Sequence, residues 1–275
     1  MRVYSFFVYV FLYTPIAIIA LFSFSAGRSA SQFDGFSVKW YGRALNNPFV
    51  MDALGNSLFV AFVSATLASI LGTLAAVGLQ GIRGPARAFF DAVIYIAVMI
   101  PGIVIGIATL IALVTVFDIV NPWLAGIWPE GGDPPTLSMG TPSLIAAHTM
   151  FTLALVVLIV RARLQGLEGA LSEASADLYA PPFRTFRLIT LPLIAPAILA
   201  GFLLSFTFSF DDFIIAFFVA GSETTLPIYV FSSIRRGVTP EINAIGTMVL
   251  AVSLSLLIAA QVMLRRRDRP ARAEA

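Results

Sequence analysis

The chain has 275 residues, of which 59% are hydrophobic and only 12% are charged, and its mean hydropathy is +0.92. A water-soluble domain carries about 25% charged residues, so this composition excludes an ordinary soluble domain and indicates an integral membrane protein. Cysteine is absent, which excludes disulfides, thiolate metal sites and cysteine nucleophiles. The net charge is only +2, so the positions of the charges are more informative than their sum.

Six apolar stretches are long enough to cross a bilayer, since a spanning helix needs about 20 mostly apolar residues. We predict an all-α polytopic membrane protein with six transmembrane helices near Phe6–Phe24, Ser57–Leu79, Ala92–Phe117, Pro142–Val160, Leu193–Phe210 and Ala244–Leu264. A cleaved signal peptide is the alternative for the first stretch, because small residues follow it in SFSAGRSA. The length of that apolar run favours a span.

The distribution of arginine and lysine indicates the orientation, because cytoplasmic loops carry an excess of these residues. An even number of spans places both termini on one side of the membrane. With both termini inside, the inner segments hold Arg2, Arg83, Arg87, Arg161, Arg163, Arg184, Arg187, Arg265, Arg266, Arg267, Arg269 and Arg272. The outer segments then keep only Arg28, Lys39, Arg43, Arg235 and Arg236. We therefore predict an N-in/C-in topology.

Spans two and three contain features that shape helix packing. Small residues recur at helical spacing in span two, at Ala65, Ser69, Gly72 and Ala76, and such a stripe lets another helix approach closely. Ordinary helix packing explains this stripe as well as a translocation pathway does. The Pro101-Gly102 pair is expected to kink span three, because proline lacks a backbone donor and clashes with the preceding turn.

The outer connector 121–142, NPWLAGIWPEGGDPPTLSMGTP, is long and rich in Gly, Pro and Trp. It is interpreted as a cap on the pathway, a contact for a partner protein or a packed insertion. His148 follows at the start of span four and is the only histidine. Because no other imidazole or thiol is available, metal ligation is not expected, and we assign His148 no function.

The inner connector after span four is more polar than a simple link requires. Its first part, GLEGALSEASADLYA, predicts a short helix, and Pro181-Pro182 end that helix. A second helix then starts at FRTFRLI and leads into span five. Spacing and charge alone fit either a docking element or an interfacial anchor helix.

Within this connector, Glu173-Ala174-Ser175 followed by I-x-L-P at 189–192 resembles the EAA loop of permease subunits of binding-protein-dependent ABC importers. That motif runs E-A-A, three residues, Gly, nine residues, I-x-L-P, and the spacing here matches in full. Two positions depart from it: Ser175 replaces the second alanine, and Tyr179 stands at the glycine position. If that glycine supplies a positive φ, Tyr179 carries steric strain.

The resemblance covers nearly the whole chain and implies a type I ABC importer permease fold in the bacterial inner membrane. It implies a coupling helix at about 171–180 that docks in a groove of a cytoplasmic ABC ATPase dimer and transmits its motion. The coupling residues it implies are Glu173, Ala174, Ser175, Asp177, Tyr179, Leu191 and Pro192. The chain has no G-x-x-x-x-G-K-[ST] phosphate loop, so we expect no enzymatic activity in this subunit and ATP hydrolysis by the partner.

The same resemblance implies a periplasmic substrate-binding protein and a second, different permease subunit as further partners, and no cofactor. We expect three parts of the chain: residues 1–55 with the first span and an outer segment, the permease core 56–264 with the loop 162–192, and a basic cytoplasmic tail 265–275.

Two adjacent carboxylates, Asp211 and Asp212, lie near the end of span five in FTFSFDDFIIAFF. At 1.5 Å per residue they lie about 27 Å above Leu193, near the outer end of the span. Adjacent helical residues differ by about 100° in direction, so the two side chains face different surroundings. The pair either ends the helix at the water boundary, contacts the binding protein as a gate, or attracts a cation on the pathway.

The region after span five resembles the spermidine/putrescine-type permease family. The matching residues are Ser209, Phe210, Asp211, Asp212, Leu226, Pro227, Gly237, Val238, Thr239, Pro240, Glu241, Asn243 and Ala244. This resemblance implies a cationic amine as substrate, which carboxylates and aromatic faces bind well. It implies a pathway or gate formed by Asp211, Asp212, Phe210 and Phe213, and binding-protein contacts at Glu223 and Glu241.

Three alternatives remain at the level of sequence. An ABC importer for an amino acid or an opine-like compound fits the same residues. A secondary transporter also fits six short-looped spans, but the EAA-like loop has no purpose there. A membrane enzyme is remote, because the sequence shows no Ser–His, Cys–His or His–carboxylate arrangement.

Overall fold

The structure is a computed structural model that describes residues 2–29, 32–129, 132–167 and 169–267. The helices of this part of the chain are α1 Arg2–Phe22, α2 Lys39–Leu45, α3 Pro48–Gly78, α4 Pro85–Met99, α5 Gly102–Ile127, α6 Thr141–Gln165, α7 Gly169–Asp177, α8 Pro182–Thr185, α9 Leu191–Asp211, α10 Ile214–Val219, α11 Leu226–Arg236 and α12 Pro240–Arg267. A 3-10 turn follows α3 at Leu79–Gly81, and a π-helical segment, Phe186–Thr190, joins α8 to α9. The described residues form no strand beyond one isolated bridge between Ser25 and Phe36. The all-α prediction is confirmed.

Five helical segments are long and apolar enough to cross a membrane: Tyr4–Phe22, Pro48–Gly81, Gly102–Ile127, Thr141–Gln165 and Pro182–Asp211. A sixth apolar segment, Pro240–Ser255, belongs to α12, which continues to Arg267. These segments overlap the predicted stretches and agree with six spans. Of the predicted basic tail, residues 268–275 lie outside the described part of the chain. The N-in/C-in orientation stays a prediction.

Span three differs from its predicted bounds, because two helices replace one. The break predicted at Pro101-Gly102 is present: Ile100 and Pro101 have extended ψ values of 131° and 137°, and α5 starts at Gly102. The predicted end at Phe117 is wrong, because α5 continues through Pro122 to Ile127. Asn121 supports this extension by bonding both backbone groups of Leu137, at 2.7 and 3.0 Å. The first part of the outer connector is therefore helical.

The chain divides into two units, Met1–Gly55 with Leu226–Ala275 and Asn56–Thr225. In the first unit, α1 and α2 both pack against α12. Trp40 is buried there, and its indole N–H donates to the carbonyl of Ser25 at 2.9 Å. In the second unit, α6 packs against α4, α5, α9 and α10 and is the central element.

The core of the second unit forms around Val156 of α6, where two glycines allow close helix approach. A Cβ on Gly72 of α3 would lie 2.8 Å from the Val156 side chain, and one on Gly201 of α9 would lie 3.3 Å from it. The stripe residues Ala65, Ser69 and Ala76 are buried as well. The packing interpretation of the span-two stripe therefore accounts for it.

Candidate functional site

The inner connector begins with α7, which carries the EAA-like residues. The predicted short helix is present and ends at Asp177, earlier than the pattern indicated. Glu173, Ala174 and Asp177 are exposed on it. Their side chains are therefore accessible for contact with a partner.

Tyr179 ends α7 in a left-handed conformation. Its φ is +57°, and it is the one non-glycine residue with a positive φ in the described part of the chain. The Tyr179 N–H donates to Ala176 O at 2.9 Å, and the Ala180 N–H donates to Ser175 O at 3.1 Å. These two bonds form a Schellman motif, in which glycine is the usual left-handed residue. The positive φ considered for the glycine position is therefore present, a region in which a Cβ meets a steric cost. The Tyr179 side chain is 95% exposed.

Ser175, the second departure from the motif, joins α7 to the helix that follows. Its side chain is buried, and its Oγ lies 2.6 Å from Oγ1 of Thr185 in α8. An alanine cannot form this bond. From α8 the chain stays helical through the π segment into α9, so one continuous helical segment, Pro182–Asp211, connects the inner connector with the outer end of the span. Leu191 is half-buried and Pro192 exposed at its junction.

An ion-pair cluster lies at the inner end of α6. The Arg161 guanidinium donates to the Asp91 carboxylate of α4, and Arg87 lies 3.9 Å from the same carboxylate. The hydrogen bond and charge of Arg161, with the charge of Arg87, hold the pKa of Asp91 below its usual value. Arg87 and Arg161, with Gln80 and Gln165 beside them, line a cavity of about 220 Å³.

At the other end of the continuous segment, the two aspartates have different surroundings. Helix α9 ends at Asp211, Asp212 has an extended ψ of 119°, and α10 begins at Ile214. Asp211 is exposed, whereas the side chain of Asp212 is only 15% exposed. Asp212 Oδ2 accepts the Ala216 N–H at 3.0 Å, so this carboxylate satisfies a backbone donor of α10 that has no partner within the helix.

His148 is the neighbour of Asp212 that sequence reasoning missed. The imidazole is 2% exposed, its Nδ1 lies 2.7 Å from Ser209 Oγ, and its Nε2 lies 3.6 Å from Asp212 Oδ2. The statement that no Ser–His arrangement exists is therefore corrected, because His148 contacts Ser209. The residues lie 61 and 64 positions apart, and only the packing of α6 on α9 brings them together. The sequence feature that could have pointed to this contact is the single histidine inside an apolar span.

The aromatic residues beside the aspartates pack mainly on one another. Phe210 is buried and stacks on Phe206 with ring centroids 6.0 Å apart, and Phe206 lies 6.4 Å from Phe202. Phe213 is half-buried, and its ring lies 5.5 Å from that of Phe217. The structure thus places both predicted aromatic residues beside the acidic pair.

The outer connector packs against the turn that carries Glu223. A Cβ on Gly221, whose φ is +59°, would lie 2.6 Å from the carbonyl of Met139. The Ser143 hydroxyl donates to the carbonyl of Val219 at 2.6 Å. The last residues of the connector are therefore held against the segment just after α10.

The two glutamates predicted as binding-protein contacts each accept a hydrogen bond from an asparagine of their own unit. Glu223 accepts from Asn56 Nδ2 at 3.1 Å, and Glu241 accepts from Asn47 Nδ2 at 3.1 Å. Glu241 also lines a cavity of about 220 Å³ with Tyr229. Among the described residues, no group of three or more His, Asp or Glu side chains is placed to hold a metal ion.

Comparisons with known proteins identify the family of this chain. Residues 68–272 match the family described as "Binding-protein-dependent transport system inner membrane component". The chain is 38% identical over 265 residues to the "Putrescine transport system permease protein PotI" of Escherichia coli (strain K12), covering 94% of this chain and 88% of the relative. It is 37% identical over 259 residues to the "Spermidine/putrescine transport system permease protein PotC" of the same organism, covering 94% of this chain and 91% of the relative. A PotC protein of Haemophilus influenzae is 36% identical, with 96% of each chain covered.

Solved structures share the fold at lower identity. A bacterial ABC transporter "involved in the import of the acidic polysaccharide alginate" superposes with a TM-score of 0.73 at 17% identity, covering 97% of this chain and 93% of that chain. The MetNI methionine ABC transporter in an inward-facing conformation gives a TM-score of 0.61 at 17% identity, covering 80% and 98%. The fold is therefore that of an ABC importer permease, and the chain belongs to the family of inner membrane components of binding-protein-dependent transport systems.

Proposed function

We propose that this chain is a permease subunit of an ATP-driven importer and forms part of the pathway for a cationic amine, with putrescine and spermidine as the expected substrates. The observation that carries the proposal is the continuous helical segment Pro182–Asp211. One end of this segment follows the exposed EAA-like helix, and the other ends at the acidic pair. A displacement of α8 can therefore reach the acidic residues through helical residues alone.

The exposed side of α7 and its C-terminal turn is the proposed docking surface for a cytoplasmic ATPase dimer. Glu173 and Asp177 supply charge there, and Leu178, Tyr179 and Phe183 supply exposed apolar area. The sequence has no phosphate loop, so the partner hydrolyses ATP. The Ser175–Thr185 contact then passes the displacement of α7 to α8.

The proposed substrate class depends on side chains, because the fold is shared with a transporter named for an acidic polysaccharide and a fold alone does not specify a function. Asp211 and Asp212 are acidic and lie beside Phe210 and Phe213. This set favours a cation through ion pairing and cation–π contact. The names of relatives at 36–38% identity agree with that class.

The remaining partners follow from the same assignment. A periplasmic binding protein delivers the amine, with Glu223 and Glu241 as its proposed contacts, and a second, different permease subunit completes the pathway. The parts of the chain proposed for these roles are 1–55, 56–264 with the inner loop 162–192, and the tail 265–275.

The proposal is tested by reconstituting the whole complex in proteoliposomes and measuring uptake of radiolabelled putrescine with and without ATP. Uptake that requires both ATP and the ATPase partner supports the proposal. Uptake that persists without the ATPase and follows an ion gradient contradicts it and identifies a secondary transporter. Binding of polyamines, amino acids and opine-like amines to the cognate binding protein then identifies the substrate, and exclusive binding of an amino acid contradicts the amine assignment.

A further inference from the structure

Three side chains from α6 and the α9–α10 junction form a buried polar row. Ser209 and His148 are both buried, and Asp212 is largely so. A neutral imidazole has one N–H and one acceptor nitrogen. When Nε2 carries the proton and faces the carboxylate, Nδ1 accepts the Ser209 hydroxyl. The row then runs from Ser209 O–H to the imidazole, and from its Nε2–H to Asp212.

The Nε2 atom has no hydrogen-bond partner among the described residues. Its separation of 3.6 Å from Asp212 Oδ2 is too long for a hydrogen bond, so the two groups form a close polar contact. A buried N–H without an acceptor costs folding free energy, so we expect the Nε2–H of His148 to have one. The acceptor beside it is the Asp212 carboxylate.

Asp212 also lies where the direction of the chain changes. Its Oδ2 atom accepts the Ala216 N–H and also faces the imidazole Nε2. Helix α10 in turn packs closely on α5, where a Cβ on Gly106 would lie 2.7 Å from the Phe218 ring of α10 and 3.3 Å from Ile215 Cα. Asp211, by contrast, is exposed. The orientation of the Asp212 carboxylate is thus coupled to its neighbours, whereas that of Asp211 is not.

We propose that His148 is a positioning residue whose Nε2 fixes the orientation of the Asp212 carboxylate. The transported amine then meets the carboxylate in that orientation. This inference rests on the proposed function, in which Asp212 belongs to the pathway. His148 does not contact the amine; it acts through Asp212. Ser209 supports this arrangement because its hydroxyl can donate to Nδ1, 2.7 Å away, and the carboxylate that faces Nε2 favours the tautomer with its proton there.

Two isosteric substitutions separate the two sides of the imidazole. The amide nitrogen of His148→Gln lies near the position of Nε2, and that of His148→Asn lies near the position of Nδ1. We expect His148→Gln to keep ATP-driven putrescine uptake within about threefold of wild type and His148→Asn to lose about tenfold, the effect of one contact to a charged group. Both are measured in the complete reconstituted complex as kcat and KM for the loaded binding protein.

The dependence on Asp212 is tested with a double-mutant cycle. In an Asp212→Asn background, His148→Asn is expected to cause no further loss. Equal uptake by the Gln and Asn variants, or full additivity with Asp212→Asn, overturns the inference. If His148→Asn does not assemble, Ser209→Ala replaces it, because it removes the hydroxyl that bonds Nδ1. We expect a loss of about threefold that disappears in the Asp212→Asn background. Uptake equal to wild type, or a loss that persists in full beside Asp212→Asn, overturns the inference.

Ser205→Ala is the matched control for Ser209→Ala. Ser205 lies one turn earlier on α9, is buried, and its hydroxyl has no hydrogen-bond partner among the described residues. Unchanged uptake is expected for it. Failure of the wild-type complex to take up any amine refutes the proposed function itself, whereas normal wild-type uptake with no Gln/Asn difference refutes only the role of His148.

Discussion

Replacing Tyr179 by glycine is expected to stabilise the turn that ends α7. The residue has a φ of +57° and its side chain is 95% exposed, so the substitution relieves backbone strain and removes little packing within the chain. A non-glycine residue in the left-handed region costs about 1–2 kcal/mol. Glycine loses about 0.5–1 kcal/mol of this gain through its greater freedom in the unfolded chain. The net gain is about 0.8 kcal/mol, the difference between the centres of these ranges.

Tyr179→Ala is the control, because alanine removes the ring but keeps the Cβ that causes the strain. Hydrogen exchange of the Ala180 amide, which bonds to Ser175 O, reports opening of this turn. About 0.8 kcal/mol corresponds to roughly fourfold slower exchange in the glycine variant, with no slowing in the alanine variant. Equal exchange in the tyrosine and glycine chains, or equal slowing in the alanine chain, refutes the strain argument.

Three further substitutions test the inner connector and the core. Ser175→Ala removes the contact to α8 and is expected to cost about 1 kcal/mol of local stability. Faster amide hydrogen exchange in α7 measures this loss, and Ser175→Thr, which keeps a hydroxyl, is the control. Glu173→Ala is expected to uncouple ATP hydrolysis from uptake or to weaken ATPase binding, and undiminished uptake with normal assembly contradicts that role. Gly72→Ala places a Cβ 2.8 Å from the side chain of Val156. We expect it to lower the free energy of unfolding by about 1–3 kcal/mol, which a lower unfolding temperature would show. Gly55→Ala on the same helix meets no heavy atom within 4 Å among the described residues, so equal destabilisation by both contradicts the packing argument.

The apolar spans and the inner connector were predictable from sequence because their signals are local. A run of about 20 apolar residues requires a helix in lipid, and the missing backbone donor of Pro101, followed by Gly102, favours a break in span three. The strain at Tyr179 was also predictable, since the matched spacing placed it at a glycine position. In each case the determining residues lie within one or two turns of each other.

The parts that sequence reasoning missed depend on contacts between distant residues. Helix α5 continues through Pro122, and Asn121 beside it bonds the backbone of Leu137, a contact that no local pattern indicates. His148 reaches Ser209 and Asp212 only because α6 packs on α9. A lone histidine in an apolar span gives no indication of which carboxylate it faces.

In the proposed function, an ATP-driven displacement moves a cationic amine past the acidic pair at the end of α9. The decisive measurement is ATP-dependent putrescine uptake by the complete reconstituted complex, compared between Asp211→Asn and Asp212→Asn. We expect uptake that requires ATP, a loss of about tenfold or more for Asp212→Asn, and a smaller loss for Asp211→Asn, because Asp211 is exposed. Equal and full transport by both variants, or uptake that persists without ATP, would contradict it.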